Sequence, residues 1–319
     1  MKLLETGFKD HKDITFSWEL TDQCQYRCSY CYVREILKNK IDEKDILKYK
    51  NVLKKFKLNS IPGFRVEILG GEPTTHPFFL DILDDLEKND KCKFLSVNTN
   101  LAKPASYYKQ FSDKTKYKKL EFSISVHIEY IKNVNKFCDK IKEIYNAGVK
   151  CFVNLNLHKD INKIPIYKEI LNQCWDNNIN AGVNYLFSTD NYDSKFTDEY
   201  HETIDRELIE PLKHKLGNKE KIYIDHEKFP FVYDNGETKY YDLHEINKYK
   251  LKSFKGYNCR PKLWYITKNG VFKNSCTGEI ADFLFKNLNK CVKCPLTECA
   301  CDFMFYYHKT APGQLKPKE

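Results

Sequence analysis

The chain has 319 residues, of which 41% are hydrophobic, and its formal net charge is +9 at pH 7. This composition excludes a chain too polar to form a core and suits a soluble globular protein. No run of about eighteen apolar residues occurs, and the segment MKLLETGFKDHKD lacks the apolar centre and cleavage site of a secretory signal. We therefore expect a cytoplasmic protein without membrane contact. The lysines are dispersed along helical faces, which argues against a nucleic-acid partner.

Six strand-like segments alternate with helix-like segments between residue 14 and about residue 215. Each is rich in β-branched and aromatic residues or alternates in polarity. The segments read ITFSWELT, FRVEILGGEP, KFLSVNTN, KLEFSISVH, KCFVNLNLH and NINAGVNYLF. Apolar residues follow helical spacing from Ile46 to Phe56 and from Val134 to Ile141, and the second helix is expected to end at Gly148. This alternation predicts an α/β fold in which helices cover a parallel sheet.

Polar residues alternate with apolar ones toward the C-terminal ends of three of these strands. They are Asn98, Asn100, Ser123, Ser125, His127, Asn154, Asn156 and His158. Side chains two residues apart point to the same face of a strand, so each set lines one face. A polar face at the strand ends is typical of a partial (β/α)6 barrel of the TIM type, whose mouth holds the active site. Edge strands with a solvated face are the alternative, although parallel sheets are usually covered on both faces.

The pattern changes after about residue 216, where helical spacing becomes sparse and cysteines become dense. Asn235-Gly236 and Asn269-Gly270 lie between strand-like aromatic runs and predict two β-hairpins with type I′ turns. We therefore divide the chain into a core over residues 1–215 and a small cysteine-rich domain over residues 216–319 that is organised by metal. The last segment, KTAPGQLKPKE, is expected to be disordered.

Three of the thirteen cysteines directly follow the first predicted strand, in the segment CQYRCSYC. Cys24, Cys28 and Cys31 have Cx3Cx2C spacing. A reducing cytosol favours metal or redox roles over structural disulfides for such residues. Three thiolates are one short of the four ligands of a structural zinc site. They can hold a [4Fe-4S] cluster by three of its irons and leave the fourth iron open.

The second predicted strand ends in GGEPTTHP, one strand after the triplet. Gly70 and Gly71 are expected to let the backbone approach a ligand closely, and Glu72 adds a carboxylate at the barrel mouth. An isolated GGEP could be only a turn, but its place beside the triplet favours a site. With aromatic Tyr30 just before the third cysteine, these features resemble the radical SAM superfamily over about residues 14–215.

The resemblance implies a [4Fe-4S] cluster on Cys24, Cys28 and Cys31, with S-adenosylmethionine (SAM) chelating the open iron. The residues that it implies as SAM contacts are Tyr30 at the adenine, Gly70, Gly71 and Glu72 at the methionyl part, and Asn100, Ser123, Ser125 and Asn154 at the ribose and carboxylate. The implied chemistry is reductive cleavage of SAM to a 5′-deoxyadenosyl radical, which abstracts a hydrogen from a substrate. Flavodoxin or ferredoxin is the implied electron donor.

Six further cysteines lie near the end of the chain. They are Cys259, Cys276, Cys291, Cys294, Cys299 and Cys301. Spacing alone allows a zinc site in which a CxxC pair forms one half. The pattern also resembles the auxiliary-cluster extensions called SPASM and twitch, which implies one or two auxiliary [4Fe-4S] clusters. It departs from the fuller pattern, because five residues separate Gly270 from Cys276 where four are usual, and no cysteine follows Cys301. We expect at least one auxiliary cluster on Cys259, Cys276 and two of the later four.

The resemblance implies an oxidoreductase or maturase, and two substrate classes stay open. Auxiliary-cluster members often crosslink, epimerise or oxidise a peptide or protein side chain, which is the first expectation here. Others act on a small sugar, nucleoside or aminoglycoside-type metabolite. A non-catalytic iron-sulfur or zinc protein is a further alternative, which gives no reason for GGEP beside the triplet. Outside the clusters, we expect structural roles for Cys92, Cys138, Cys151 and Cys174, and no metal binding by His76, His127 and His158.

Overall fold

The structure is a computed structural model, and the part of the chain that it describes excludes several internal segments and the last residues. The described residues are 1–7, 13–31, 33–38, 40, 46–58, 63–184, 186, 198–211, 222–223, 228–241, 245–246, 249–281, 288, 290–299 and 307–314. Within these ranges, no helix combines the length and the apolar character that crossing a membrane requires.

The strands of the described residues form two sheets. Those of the larger sheet are β2 Ile14–Thr21, β3 Phe64–Gly70, β4 Cys92–Thr99, β5 Leu120–Val126, β6 Cys151–Asn156, β7 Ala181–Asn184, β8 Ile222–Tyr223, β12 Leu263–Ile266 and β13 Phe272–Asn274. Those of the smaller sheet are β1 Leu3–Thr6, β9 Phe229–Tyr233, β10 Thr238–Tyr241, β11 Asn258–Cys259, β14 Val292–Lys293 and β15 Lys309–Thr310. The α-helices are α1 Tyr49–Leu58, α2 Phe79–Glu87, α3 Ala105–Lys109, α4 Val134–Asn146, α5 Ile164–Asp176 and α6 Asp198–Ile204.

The larger sheet has the order β13-β12-β2-β3-β4-β5-β6-β7-β8. All of its neighbours pair in parallel except β12 and β13, which form an antiparallel hairpin. Strands β2 to β7 are the six strands predicted from the sequence, and helices connect successive members. The result is an open parallel sheet, which confirms the predicted α/β fold with a partial barrel.

Burial alternates along the central strands of the larger sheet. In β5, Phe122 and Ile124 are buried, whereas Ser123 and Ser125 are only half-buried. The buried face packs against helices such as α4, which begins at the side-chain cap of Asn133 on Lys136 N. Parallel strands therefore present their apolar face to the helices and their polar face to the inside of the partial barrel. The four cysteines expected to be structural, Cys92, Cys138, Cys151 and Cys174, are all buried in this helix-covered core.

The smaller sheet combines strands from both ends of the chain, in the order β10-β9-β1-β15-β11-β14. A second, small hydrophobic core lies at this sheet and includes Phe229, Phe231 and Phe254 together with several cysteines. Strand β1 comes from the first residues of the chain, while β8, β12 and β13 of the larger sheet come from its second half. Both halves of the chain thus contribute strands to both sheets.

The two predicted hairpins are present, but the predicted type I′ turns are wrong. In the first hairpin, Gly236 N donates to Tyr233 O and Tyr233 N donates to Glu237 O. Gly236 has a φ of 82°, and Asn235 is not among the residues with positive φ, although a type I′ turn requires both. The same bonds join Thr267, Gly270 and Val271 in the second hairpin. Each loop therefore has three residues, a type I turn followed by a left-handed glycine.

The segment expected to form a disordered tail is ordered over its first part. Lys309–Thr310 forms β15, which pairs with both β1 and β11, and Ala311 is fully buried. Two residues are too few to show strand periodicity in a sequence, which explains the wrong expectation. Residues 315–319 lie outside the described part of the chain.

Candidate active site

The cluster loop, residues 22–31, follows β2 and is fixed by backbone hydrogen bonds to the end of β3. Gly71 N donates to Thr21 O, and Glu72 N donates to Gln23 O, both at 2.7 Å. On its other side, Cys24 N donates to Lys38 O at 3.2 Å. The segment GGE therefore continues the pairing of the two strands beyond the sheet and holds the loop that carries the triplet.

The paired glycines explain how closely the two segments approach. A Cβ on Gly71 would lie 2.3 Å from Gln23 O and 2.9 Å from Cys24 Cβ. A Cβ on Gly70, where φ is +132°, would lie 2.3 Å from Thr21 O. We expected these glycines to admit a ligand, but the structure shows that they admit the cluster loop itself. Their contact with SAM stays a prediction.

The three thiols of the cluster loop have the chemistry of a cluster ligand set. Cys24 and Cys28 are buried, and burial raises the pKa of all three thiols, that of Cys28 to about 12. The Cys24 sulfur accepts hydrogen bonds from Tyr26 N at 3.4 Å and from Asn100 Nδ2 at 3.7 Å. Such bonds favour the thiolate, which is the form that binds iron.

The spacing of these side chains also fits a cluster better than a single ion. The charges of Cys24, Cys28 and Cys31 act on one another, so the three thiols share one region. Among the described residues, no three His, Cys, Asp or Glu side chains are close enough to hold one metal ion. In a [4Fe-4S] cluster each thiolate binds a different iron, which requires more widely spaced sulfurs. The triplet therefore fits the group that the sequence implies.

Glu72 connects the ends of β3 and β4 beneath the cluster loop. Its side chain is 1% exposed. Oε1 accepts from Thr74 Oγ1 at 2.6 Å and from Thr99 Oγ1 at 2.8 Å, and Oε2 accepts from Asn100 N at 2.7 Å. Burial raises the pKa of the carboxyl group, and these hydrogen bonds oppose that rise. Since Asn100 also contacts Cys24, two of the residues predicted to bind SAM adjoin the predicted cluster.

Tyr30 lies between two histidines at the ends of β5 and β6. Its hydroxyl is 2.9 Å from His127 Nδ1, and the two rings stack with centroids 5.9 Å apart. The His158 ring stands edge-on to Tyr30 at 5.8 Å. Burial lowers the pKa of His127 to about 4, so this imidazole is neutral at physiological pH. The aromatic residue of the triplet thus has a fixed position at the mouth, and its contact with adenine stays a prediction.

Sequence reasoning missed two residues that hold the cluster loop. Ser29 N donates to Glu129 Oε2 at 2.8 Å, and Glu129 Oε1 lies 3.3 Å from His158 Nε2. Arg27 N donates to the Tyr130 hydroxyl at 2.6 Å. Both residues directly follow the polar end of β5 in the segment HIEY, and that position was the signal available in the sequence.

The remaining predicted SAM contacts lie on the polar face of β5 and β6. Asn154 Nδ2 donates to Ser123 Oγ at 2.8 Å, and Ser125 is the register partner of Asn154. All three side chains are half-buried. The structure thus brings them together on the inner face of the partial barrel, and their roles stay predictions.

Four of the six C-terminal cysteines share one buried region. The thiols whose charges act on Cys259 are those of Cys276, Cys294 and Cys299, and burial raises the pKa of Cys259 to about 12. Cys259, Cys294 and Cys299 are all 5% exposed or less. Backbone bonds from Cys294 N to Tyr257 O and from Cys299 N to Lys252 O fix two of the loops involved.

The other two C-terminal cysteines, Cys291 and Cys301, are not placed in this buried region by any described contact. Cys291 is half-buried just before β14. Cys301 lies outside the described residues. Of the described later cysteines, Cys294 and Cys299 thus share the region of Cys259, and cluster binding by any of these residues stays a prediction.

Comparison with known proteins agrees with the fold. Residues 18–168 match the family model of the radical SAM superfamily, a stretch that contains the cysteine triplet and GGEP. This part of the chain therefore resembles a radical SAM domain.

Named relatives and solved structures extend the comparison. The chain is 28% identical over 196 residues to GTP 3',8-cyclase of Haemophilus influenzae (strain PittEE), over 57% of this chain and 56% of the relative. It is 32% identical over 83 residues to GTP 3',8-cyclase of Microcystis aeruginosa, over 25% of each chain. The chain thus spans little more than half the length of the first of these relatives.

Two similar solved structures are of anSMEcpe. The structure with bound AdoMet has a TM-score of 0.55 at 14% identity and covers 82% of this chain and 73% of that chain. The structure with AdoMet and the Kp18Cys peptide has a TM-score of 0.56 at 13% identity and covers 86% and 78%. At this identity the likeness shows the fold.

Proposed function

We propose that this protein is a radical SAM enzyme that holds a [4Fe-4S] cluster on Cys24, Cys28 and Cys31. The observation that carries the proposal is the clamp on the cluster loop, in which the GGE segment pairs with the loop while Glu72 and Asn100 connect it to β4. When bound, the cluster and SAM supply a 5′-deoxyadenosyl radical that abstracts a hydrogen atom from the substrate.

The protein's own residues would bind and orient SAM and keep water away. Glu72 would accept from the methionyl ammonium, and Tyr30 would lie against the adenine. The polar inner face, represented by Ser123, Ser125 and Asn154, would bind the ribose and carboxylate. Such positioning matters because a radical formed in a closed cavity meets the nearest substrate hydrogen first.

The second part of the proposal concerns the C-terminal thiols. We infer that Cys259, Cys276, Cys294 and Cys299 hold one auxiliary [4Fe-4S] cluster. Four thiolates would complete the ligand set, so the cluster would supply electron acceptance and leave no open iron for a substrate. The zinc alternative pairs Cys294 with Cys291, whereas the thiols that act on Cys259 are those of Cys276, Cys294 and Cys299. An electron-accepting cluster favours net oxidation of the substrate, with flavodoxin or ferredoxin as the donor for SAM cleavage.

A peptide or protein side chain is the first candidate substrate. The similar fold of a protein solved with AdoMet and a peptide supports this class. A nucleotide or related small metabolite is the second candidate, which the sequence match to GTP 3',8-cyclases supports. Consumption of GTP with SAM and reductant would favour the second class, and a short precursor-peptide gene beside the gene for this protein would favour the first.

Metal analysis after anaerobic reconstitution tests the two cluster sites. We expect about eight iron atoms per chain, about four for each cluster. Replacement of Cys259 and Cys276 by alanine should reduce the count to about four, whereas the matched replacement of Cys138 and Cys174 should not. About four iron atoms together with one zinc in the unaltered protein would contradict the auxiliary cluster.

A further inference from the structure

Lys309 has an environment that few lysines have. Its side chain is 1% exposed, and among the described residues it is the one lysine that is buried. Lysines are rarely buried fully, because removing an ammonium group from water is costly unless an opposite charge or strong acceptors lie nearby. The burial of this lysine therefore requires an explanation in the surrounding residues.

The sheet register places Lys309 directly opposite a predicted cluster ligand. Strands β15 and β11 pair antiparallel, with Lys309 opposite Cys259. Residues opposite each other on antiparallel strands have their side chains on the same face, with Cβ atoms about 5 Å apart. Cys259 is itself only 4% exposed. The ammonium and the thiol therefore occupy the same buried space.

The positive charge acts on more than one thiol. Lys309 lowers the pKa of Cys259 and of Cys276, against the larger effect of burial. Its Nζ donates to Tyr307 O at 3.1 Å and lies 5.4 Å from the centre of the Phe254 ring. A carbonyl oxygen and a ring face fix the position of a cation and only partly replace its hydration. A cluster bound to these cysteines would place thiolate charge beside this cation.

We propose that Lys309 is the charge-compensating residue of the auxiliary site and raises the reduction potential of the cluster held there. The inference rests on the proposed function, since it requires a cluster on Cys259, Cys276, Cys294 and Cys299. Four thiolates give a [4Fe-4S] cluster a net negative charge, which reduction increases. A fixed cation beside two of the ligands stabilises the reduced state more than the oxidised state. Lys309 would thus act through its fixed positive charge, which would make the cluster a better electron acceptor.

The test isolates the auxiliary cluster in a background in which Cys24, Cys28 and Cys31 are all alanine. Lys309→Met removes the charge, Lys309→Arg keeps it, and Lys239→Met on β10 of the same sheet is the control. Redox titration monitored by EPR should give a more negative midpoint potential for Lys309→Met alone. An unchanged potential in Lys309→Met, at unchanged iron content, would overturn the inference.

Two further outcomes are informative. If Lys309→Met folds by circular dichroism but loses its iron, while Lys309→Arg keeps iron, the need for the charge is supported. If both variants lose iron alike, packing and not charge is responsible, and the inference fails. An absence of iron in the triple-alanine background itself would instead refute the auxiliary cluster, which is the second part of the proposed function, and would leave the proposal for the triplet untouched.

Discussion

Replacing Gly71 by alanine should displace the cluster loop from β3. The added Cβ would lie 2.3 Å from Gln23 O, although a Cβ essentially never comes within 3.0 Å of a non-bonded heavy atom. The loop must therefore move by about 1 Å, which stretches the two 2.7 Å bonds from Gly71 N and Glu72 N. Each lost buried hydrogen bond costs about 1–3 kcal/mol, so the loss of two should lower the free energy of unfolding by about 2–6 kcal/mol. For a chain of this size the melting temperature should fall by about 3–9 °C.

Thermal unfolding of the apoprotein and iron content after reconstitution measure this effect. The matched control is Gly63→Ala, because the new Cβ there would meet only the flexible end of Lys93, at 3.3 Å. We expect Gly71→Ala to lower both the melting temperature and the iron bound to the triplet, while the control changes neither. Equal behaviour of the two variants would refute the idea that the glycines exist to admit the cluster loop.

Three further predictions concern buried charged or titratable groups. The pKa of His127 is about 4 in the fold, below its ordinary value near 6.5, so its contribution to stability is present above pH 6.5 and is lost as the pH falls through 4. Because of this residue, the free energy of unfolding measured with denaturant should be about 2 kcal/mol lower at pH 5 than at pH 7. His127→Gln should remove this difference, and an unchanged pH dependence in the variant would contradict the prediction. Asp22 is 6% exposed and lies 2.5 Å from Lys268 Nζ in the second hairpin. Asp22→Asn should therefore lower the free energy of unfolding in urea by about 2 kcal/mol. An unchanged free energy would show that the ion pair does not fix the hairpin to the cluster loop. Glu72→Gln should lower the free energy of unfolding by about 2 kcal/mol, because an amide NH2 would face the Asn100 N–H or the hydroxyl donors. The variant should also bind SAM more weakly in calorimetry. Unchanged stability and unchanged SAM binding would argue against the clamp.

Strands β2 to β7 of the larger sheet could be predicted because each has a local sequence pattern. Alternation of two residues identified β2 to β7, and helical spacing identified α1 and α4. The smaller sheet could not be predicted in this way, since β1 and β15 contain four and two residues and pair across the length of the chain. Pairing between residues so far apart leaves no local signal, and for the same reason the burial of Lys309 was missed.

The candidate site was predictable in its ligands and less so in its supports. Cysteine spacing and GGEP identified the triplet and its neighbouring strand, because ligand chemistry restricts the residue types and their separation. The hydrogen bonds that the cluster loop donates to Glu129 and Tyr130 depend on how the loop after β5 folds back, which spacing does not encode. The type of hairpin turn was missed because it depends on one additional loop residue beyond the Asn-Gly pair.

Under the proposed function, this chain cleaves SAM reductively on the cluster of Cys24, Cys28 and Cys31. The most direct measurement is formation of 5′-deoxyadenosine by the reconstituted protein with SAM and dithionite under anaerobic conditions. We predict that the unaltered protein forms this product and that the variant with all three cysteines replaced by alanine does not. Product formation that survives in the triple variant, or its absence from fully iron-loaded unaltered protein, would contradict the account.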